Sequence, residues 1–362
     1  MLSYLKKLED RKKNGSLRSL SSFQGMVDFY SNDYLGLAKS SIATATNHAG
    51  STGSRLISGN SPEAIEAENY LADFYRSEAA LIFNSGYDAN IGLFSSVPQR
   101  GDVILYDEFI HASVRDGIRL SHAKAFSFKH NDCNDLKAKL ERFEGTVFVA
   151  VESLYSMDGD LAPLKEIVDI CQEFNALLIV DEAHSGGIFG KEGRGLCVEL
   201  EIETLIFARL MTFGKAYGTH GAVVLGSETL KSYLVNFARS FIYTTALPPT
   251  QYQYIVQQVE RSKLDLNRLK LQENIDLFRG ILGDKVHFSD ARSPIQVVLI
   301  PGVAEVNAVS KLLQGNLLAV KAIMSPTVGE GQERLRVCLH GFNQVGEIEK
   351  LGELILKLMR VN

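Results

Sequence analysis

Ala176-Leu177-Leu178-Ile179-Val180, running into Asp181-Glu182-Ala183-His184-Ser185-Gly186-Gly187, is the stretch whose reading decides the fold. Five apolar residues without a polar break read as a strand buried on both faces, and the acid and glycines after them mark its carboxyl end. The same signal recurs upstream in Ala80–Phe83, Val103–Tyr106 and Thr146–Val151. Between these runs lie amphipathic stretches near Ile110–Ser121, Asn134–Phe143 and Pro163–Phe174, the last with a proline suited to a first helical turn. Strands alternating with helices predict an α/β fold with a mostly parallel central sheet covered by helices.

A single core stops growing at roughly 250 to 300 residues, so 362 residues predict more than one lobe. The expected division is an N-terminal arm and small-domain segment over 1–45, a large domain over 46–247 and a smaller α+β domain over 248–362. The arm carries Ser16, Ser19, Ser21 and Ser22, a short strand at Val27–Tyr30 and a turn at Ser31–Leu37. Pro248-Pro249 interrupts the alternating pattern. Beyond it the spacing predicts one long helix from Gln251 to Leu271, strands near Pro294–Ile300, Leu318–Ile323 and Leu335–Leu339, and a closing helix over Val345–Met359. A formal charge of −5 gives no basic excess to draw nucleic acid or an anionic membrane. No apolar run reaches the ~18 residues of a membrane span, and the polar start predicts a cytoplasmic protein. Cys133, Cys171, Cys197 and Cys338 are too scattered for zinc-type pairs and read as reduced packing residues, with no metal site.

Ligands of such sheets bind beyond the carboxyl ends of the strands. There the chain offers Asp181 with His184 three residues on, a Ser85-Gly86-Tyr87 turn opening a helix, and His111 in Asp107-Glu108-Phe109-Ile110-His111-Ala112-Ser113. Further on, Met211-Thr212-Phe213-Gly214-Lys215-Ala216-Tyr217-Gly218-Thr219-His220-Gly221 holds a lysine among glycines between two apolar runs. Alone, each also fits a cap, a turn or a surface position. Together they supply an acid for a protonated ring nitrogen, backbone amides for a phosphate, an imidazole for stacking and an amine for an aldehyde. That set describes one cofactor, pyridoxal 5′-phosphate.

The chain resembles the α-oxoamine synthases, pyridoxal-phosphate enzymes of the aspartate-aminotransferase fold (fold type I). The resemblance rests on Ser31–Leu37, Gly53-Ser54-Arg55 with Ser58-Gly59, Ser85-Gly86-Tyr87 with Ala89-Asn90, and His111-Ala112-Ser113. It continues through Ser156–Asp160, Asp181–His184, Thr212–Lys215, and Tyr243-Thr244-Thr245 with Pro248-Pro249. It implies that Lys215 carries the cofactor and moves the substrate's α-proton, with Asp181 on the ring nitrogen, His111 against the ring, His184 at the phenolic oxygen and Ser156 beside this histidine network. Ser85, Gly86, Tyr87 and Thr212 would hold the phosphate, with Thr244 or Thr245 reaching in from a second subunit. Arg336 would bind the amino-acid carboxylate and Asn32 would lie on the substrate side. The implied reaction is decarboxylative condensation of an amino acid with an acyl-CoA or acyl-carrier-protein thioester, in a homodimer with shared active sites.

Within that family the chain looks closest to the members that join L-alanine to a pimeloyl thioester in biotin synthesis. Glycine with acetyl-CoA, or serine with a long acyl-CoA, are the alternatives of the same class. An aminotransferase of the same fold and a non-catalytic binding protein are alternatives of other classes. Departures from the family pattern fall at Ala64, at His220, in a short segment between Leu37 and Gly50, and in Val337-Cys338-Leu339-His340-Gly341-Phe342 after Arg336. None touches the cofactor set, and all are expected on the acyl side.

Overall fold

The structure is a computed structural model describing residues 3–17, 23–39 and 50–359. Ser19, Ser21 and Ser22, and most of the short segment after Leu37, lie outside the described residues. The chain forms two compact units. The larger takes Leu35–Tyr155 and Leu161–Asn267; the other draws on Met1–Tyr34, Ser156–Asp160 and Arg268–Asn362.

Twelve strands occur among the described residues, numbered here in chain order: β1 Val27–Asp28, β2 Ala79–Phe83, β3 Val103–Asp107, β4 Lys124–Phe128, β5 Val147–Glu152, β6 Leu177–Asp181, β7 Ala208–Thr212, β8 Ala222–Gly226, β9 Ile295–Leu299, β10 Leu318–Ala319, β11 Lys321–Ile323 and β12 Arg334–Cys338. The larger unit holds a seven-stranded sheet of order β2-β8-β7-β6-β5-β3-β4. β8 runs antiparallel to both neighbours and the remaining pairs are parallel, as the alternating pattern predicts.

The alternation of side chains explains why the apolar runs are unbroken. On β5, Val147, Val149 and Val151 enter a core with helices Cys133–Leu140 and Leu164–Glu173, while Phe148 and Ala150 enter the opposite core with helices Gly86–Ser96 and Ala112–Leu120. Each such side chain, fully removed from water, contributes roughly 1.5–3 kcal/mol, so both faces must be apolar. β4 escaped the sequence reading because it is an edge strand with three of its five residues exposed. The run Leu205–Ala208 lies mostly ahead of β7, which instead includes Arg209, buried against Glu182 at 3.4 Å.

The long helix expected from Gln251 to Leu271 is two helices, Pro249–Ser262 and Asp265–Leu282. Ser262 turns its hydroxyl back onto the Val259 carbonyl (2.7 Å), which competes with the helical ladder. Asp265 then opens the next helix with its acid at the favourable positive end.

In the other unit β11-β12-β9 form an antiparallel sheet and β1 pairs in parallel with β10. The segment Ser156–Asp160 is bonded within this unit. Ser289 Oγ donates to the Asp158 carbonyl (2.7 Å), the Asp290 amide donates to the Gly159 carbonyl (3.0 Å), and Arg334 pairs with the Asp158 carboxylate. All four cysteines are buried and free.

Candidate active site

In the larger unit the carboxyl ends of β6 and β7 bring the sequence-predicted groups together. Residues 213–221 connect β7 to β8, closed by Phe213 N–H to the Gly221 carbonyl and Thr219 N–H to the Phe213 carbonyl, each 2.9 Å. Gly218 sits at φ +61°, where a Cβ would stand 2.2 Å from the Ala38 nitrogen, so only glycine lets this turn close. The turn holds Lys215 half-buried, with Nζ 2.6 Å from His184 Nε2.

His184 lies three residues past Asp181, the last residue of β6. The Asp181 carboxylate is buried and held at both oxygens: Oδ1 accepts from the Ala183 amide (2.9 Å) and Oδ2 from Asn90 Nδ2 (2.9 Å). The same Asn90 amide donates to Ser113 Oγ (3.0 Å), which lies 2.7 Å from His111 Nδ1. His111 Nδ1 also accepts from the Ser113 amide (3.2 Å), capping helix Ala112–Leu120. Four residues from three parts of the sequence thus form one line from the acid to the imidazole. The His111 ring titrates below the ordinary histidine range. Lost solvation of the ring is the largest cause, the Asp181 charge opposes it, and Lys215 adds to it.

Glu152 was not singled out from the sequence. It ends β5 directly opposite Asp181 of β6 and is buried, with Oε1 lacking a hydrogen-bond partner. Its carboxyl titrates well above the usual range, first through burial and then through the neighbouring Asp181 charge, against the opposing Lys215 and the His111 amide. Two carboxyls side by side at a strand end do not both ionise readily, which favours the protonated form of Glu152. The signal was present: Glu152 follows the apolar run 146–151, as Asp181 follows its own. Asn90 and Ser113 sit in motifs read from the sequence, but their bridging needed the fold.

At the Ser85 turn, Ser85 caps helix Gly86–Ser96 by accepting from the Asp88 amide (3.1 Å). By helix geometry the first amides, those of Gly86 and Tyr87, have no intrahelical acceptor. A Cβ on Gly86 would come within 3.6 Å of the Thr212 side chain, so Thr212 flanks the helix start. The Tyr87 hydroxyl is engaged elsewhere, donating to Asp116. Asn84 Nδ2 donates to Thr244 Oγ1 (3.1 Å) and to the Thr245 carbonyl (2.9 Å), which places both threonines beside the same turn of their own chain.

Arg336, Asn32 and Ser156 belong to the other unit. Arg336 is buried on β12 and donates through Nε to the Ser156 carbonyl (2.6 Å), through one terminal nitrogen to Asn32 Oδ1 (3.0 Å) and through the other to Cys338 Sγ (2.9 Å). Tyr34 donates to the same Asn32 oxygen (3.0 Å). Of the departures from the family pattern, Ala64 is buried in helix Pro62–Phe74, His220 is exposed, and His340 is buried.

The fold and this strand-end set define a class of protein, and the match to known families names it. Residues 24–349 match the aminotransferase class I and II family, so the chain belongs to that family of enzymes. It is 39% identical to an 8-amino-7-oxononanoate synthase of Emericella nidulans, over 97% of this chain and 93% of that protein. It is 38% identical to one of Pelobacter propionicus, over 98% and 97%. Among solved structures, a serine palmitoyltransferase of Sphingomonas wittichii superposes with a TM-score of 0.92 at 27% identity, covering 100% of this chain and 98% of that one. An 8-amino-7-oxononanoate synthase of Francisella tularensis superposes with a TM-score of 0.79 at 31% identity, covering 93% and 98%. Pyridoxal phosphate is the cofactor of this fold type, and the side chains of the larger unit fit it: a fixed buried carboxylate, an amine, and helix-start amides beside a hydroxyl.

Proposed function

We propose that the chain is an acyltransferase that joins L-alanine to a pimeloyl thioester of CoA or carrier protein. It releases carbon dioxide and the thiol and gives 8-amino-7-oxononanoate for biotin synthesis, as a cytoplasmic homodimer. The observation that carries this reading is the Lys215 amine 2.6 Å from His184, on the same strand ends as the buried, doubly bonded Asp181. The near full-length likeness to proteins named 8-amino-7-oxononanoate synthase supports the choice of substrates.

In this reading the bond between the acyl carbon and sulfur breaks and a bond forms from that carbon to the amino acid's Cα. The Cα–carboxylate bond breaks, and one proton is taken up overall. When bound, pyridoxal phosphate supplies an aldehyde for the amino group and a ring that accepts the electron pair left at Cα. Lys215 Nζ takes and returns the Cα proton. Asp181 would pair with the ring-nitrogen cation, its orientation fixed by Asn90 and the Ala183 amide. His111, whose lost ring solvation lowers its affinity for a proton, would lie against the ring face. His184 would hydrogen-bond the phenolic oxygen. Ser85, Gly86 and Tyr87 would hold the phosphate with Thr212, with Thr244 and Thr245 beside the same turn. Arg336 takes the substrate carboxylate with its bidentate fork, and Asn32 orients that guanidinium.

The test crosses alanine, glycine and serine with pimeloyl, acetyl and palmitoyl thioesters and scores carbon dioxide and free thiol. Alanine with the pimeloyl thioester should give the highest kcat/KM. Preference for glycine with acetyl or serine with palmitoyl would replace the substrate assignment. Rapid conversion of the cofactor to its amine form by amino acid alone would replace it with transamination.

A further inference from the structure

His340 departs from the family pattern, and it lies at the centre of a buried polar cluster that the functional reading does not use. It lies just past Leu339, after β12 ends at Cys338, and is fully removed from solvent. Its Nδ1 lies 3.1 Å from Asn343 Oδ1. That amide is oriented by its other bonds, since Nδ2 donates to the Asp28 carbonyl (3.1 Å) and Oδ1 accepts from the His340 backbone amide (2.9 Å). Oδ1 is therefore an acceptor, and Nδ1 must carry a proton. On the other side of the ring, Nε2 lies 3.2 Å from the Ser31 carbonyl, which can only accept, and 3.3 Å from Ser31 Oγ.

Both ring nitrogens thus face oxygen acceptors, an arrangement that suits a doubly protonated ring. Asp28 lies three residues before Ser31. Its Oδ1 accepts from the Tyr30 and Ser31 amides (3.0 and 2.9 Å), and its carboxyl stays below the usual range although burial pushes it up, because His340 and these donors stabilise the anion. Tyr34 also faces the ring, at 6.4 Å between centroids; helix Asp265–Leu282 brings the neutral Asn274 to the His340 carbonyl, and Phe342 stacks at 4.6 Å.

The segment that His340 holds is Ser31-Asn32, and Asn32 Oδ1 is the acceptor for Arg336 at 3.0 Å. We propose that His340 is a positioning residue, held as an imidazolium by the Ser31 and Asn343 oxygens, that fixes Asn32 and through it the Arg336 guanidinium that grips the amino acid's carboxylate. Its effect is on amino-acid affinity rather than on the chemical step. The inference rests on the proposed role of Arg336.

Two measurements on the holoenzyme test it. Nitrogen shifts of ¹⁵N-histidine-labelled protein, with the His340 signal assigned by its loss in His340→Gln, should show both ring nitrogens protonated at pH 7; a neutral ring overturns the proposal. The dissociation constant for alanine, followed by the cofactor's absorption without thioester, should rise about tenfold in His340→Gln, with KM for alanine rising in parallel and kcat within about twofold. Unchanged alanine affinity in His340→Gln, while Arg336→Ala weakens it, overturns the proposal alone. Unchanged affinity in Arg336→Ala instead removes the carboxylate role of Arg336 beneath it. Should His340→Gln not fold, the histidine signal nearest the Ser31→Ala change identifies His340 in the parent protein, and its protonation decides the matter.

Discussion

The Lys215 cluster of the larger unit and the Arg336 cluster of the other unit are built in opposite ways. In the first, Asp181, Glu152 and the Lys215 turn each come at or just after the end of a strand, and the sheet aligns them through backbone register. In the second, side chains bond across very long stretches of chain: Asn32 to Arg336, Ser31 to His340 and Ser156 to Arg336. A site carried by sheet register keeps its frame when a functional side chain is removed. A site carried by its own side chains does not, so removing one of them should cost stability as well as function.

Lys215→Ala is the sharpest way to break this contrast. Turnover should fall by at least about 10⁴-fold, because both the covalent anchor and the proton carrier are lost. The thermal midpoint should move little, since the turn is closed by Phe213, Thr219 and Gly221 backbone bonds that do not involve this side chain. Near-normal turnover would remove Lys215 from the chemistry; unfolding would show that the cluster, not the sheet, carries the frame. Asp181→Asn comes next, with a loss in kcat of about 10²–10³ for removing a fixed charge from the site. An Asn variant with full activity would assign the ring-nitrogen partner elsewhere.

Asn343→Ala probes the second region and should reverse the balance. It deletes bonds to the His340 ring, the His340 amide and the Asp28 carbonyl in a fully buried setting. Leaving such donors and acceptors unmatched costs about 1–3 kcal/mol of stability, readable by urea unfolding. The kcat of the folded fraction should change less than in Asp181→Asn. A variant as stable as the parent would show that this cluster is not what holds the 28–34 segment.

The contrast also explains what the sequence made legible. The apolar runs announced the parallel sheet, and the strand-end rule found Asp181 and the turns of Ser85, His111 and Lys215 because period and position suffice for them. β4 was invisible because an edge strand needs no apolar run, and the break between Ser262 and Asp265 was invisible because a serine hydroxyl turning inward leaves no periodic trace. Asn32 and Arg336 were found through the family resemblance, not through spacing. Asn343 was beyond both, and the resemblance marked His340 only as a departure, since a buried polar network is specified by partners some 300 positions away in the chain. Glu152 is the exception: it obeyed the rule and was passed over for the motif at Ser156.

Glu152 allows the finest test of the first region. In the folded protein its carboxyl titrates well above the ordinary range, through burial first and Asp181 second, whereas the unfolded chain releases its proton in the ordinary glutamate range. Between those two values the folded state binds one proton more, so stability present at acid pH is lost as pH rises toward the folded-state value. The slope is about 1.4 kcal/mol per pH unit for one proton. Glutamine keeps the shape and has no proton to lose. Glu152→Gln should therefore match the parent near pH 4 and become progressively more stable than it toward pH 8, by urea unfolding at each pH. Parallel curves for the two proteins would mean that Glu152 is ionised in the fold, and that Asp181 and Glu152 share their strand ends as two anions, which the register of β5 and β6 would then have to hold against repulsion.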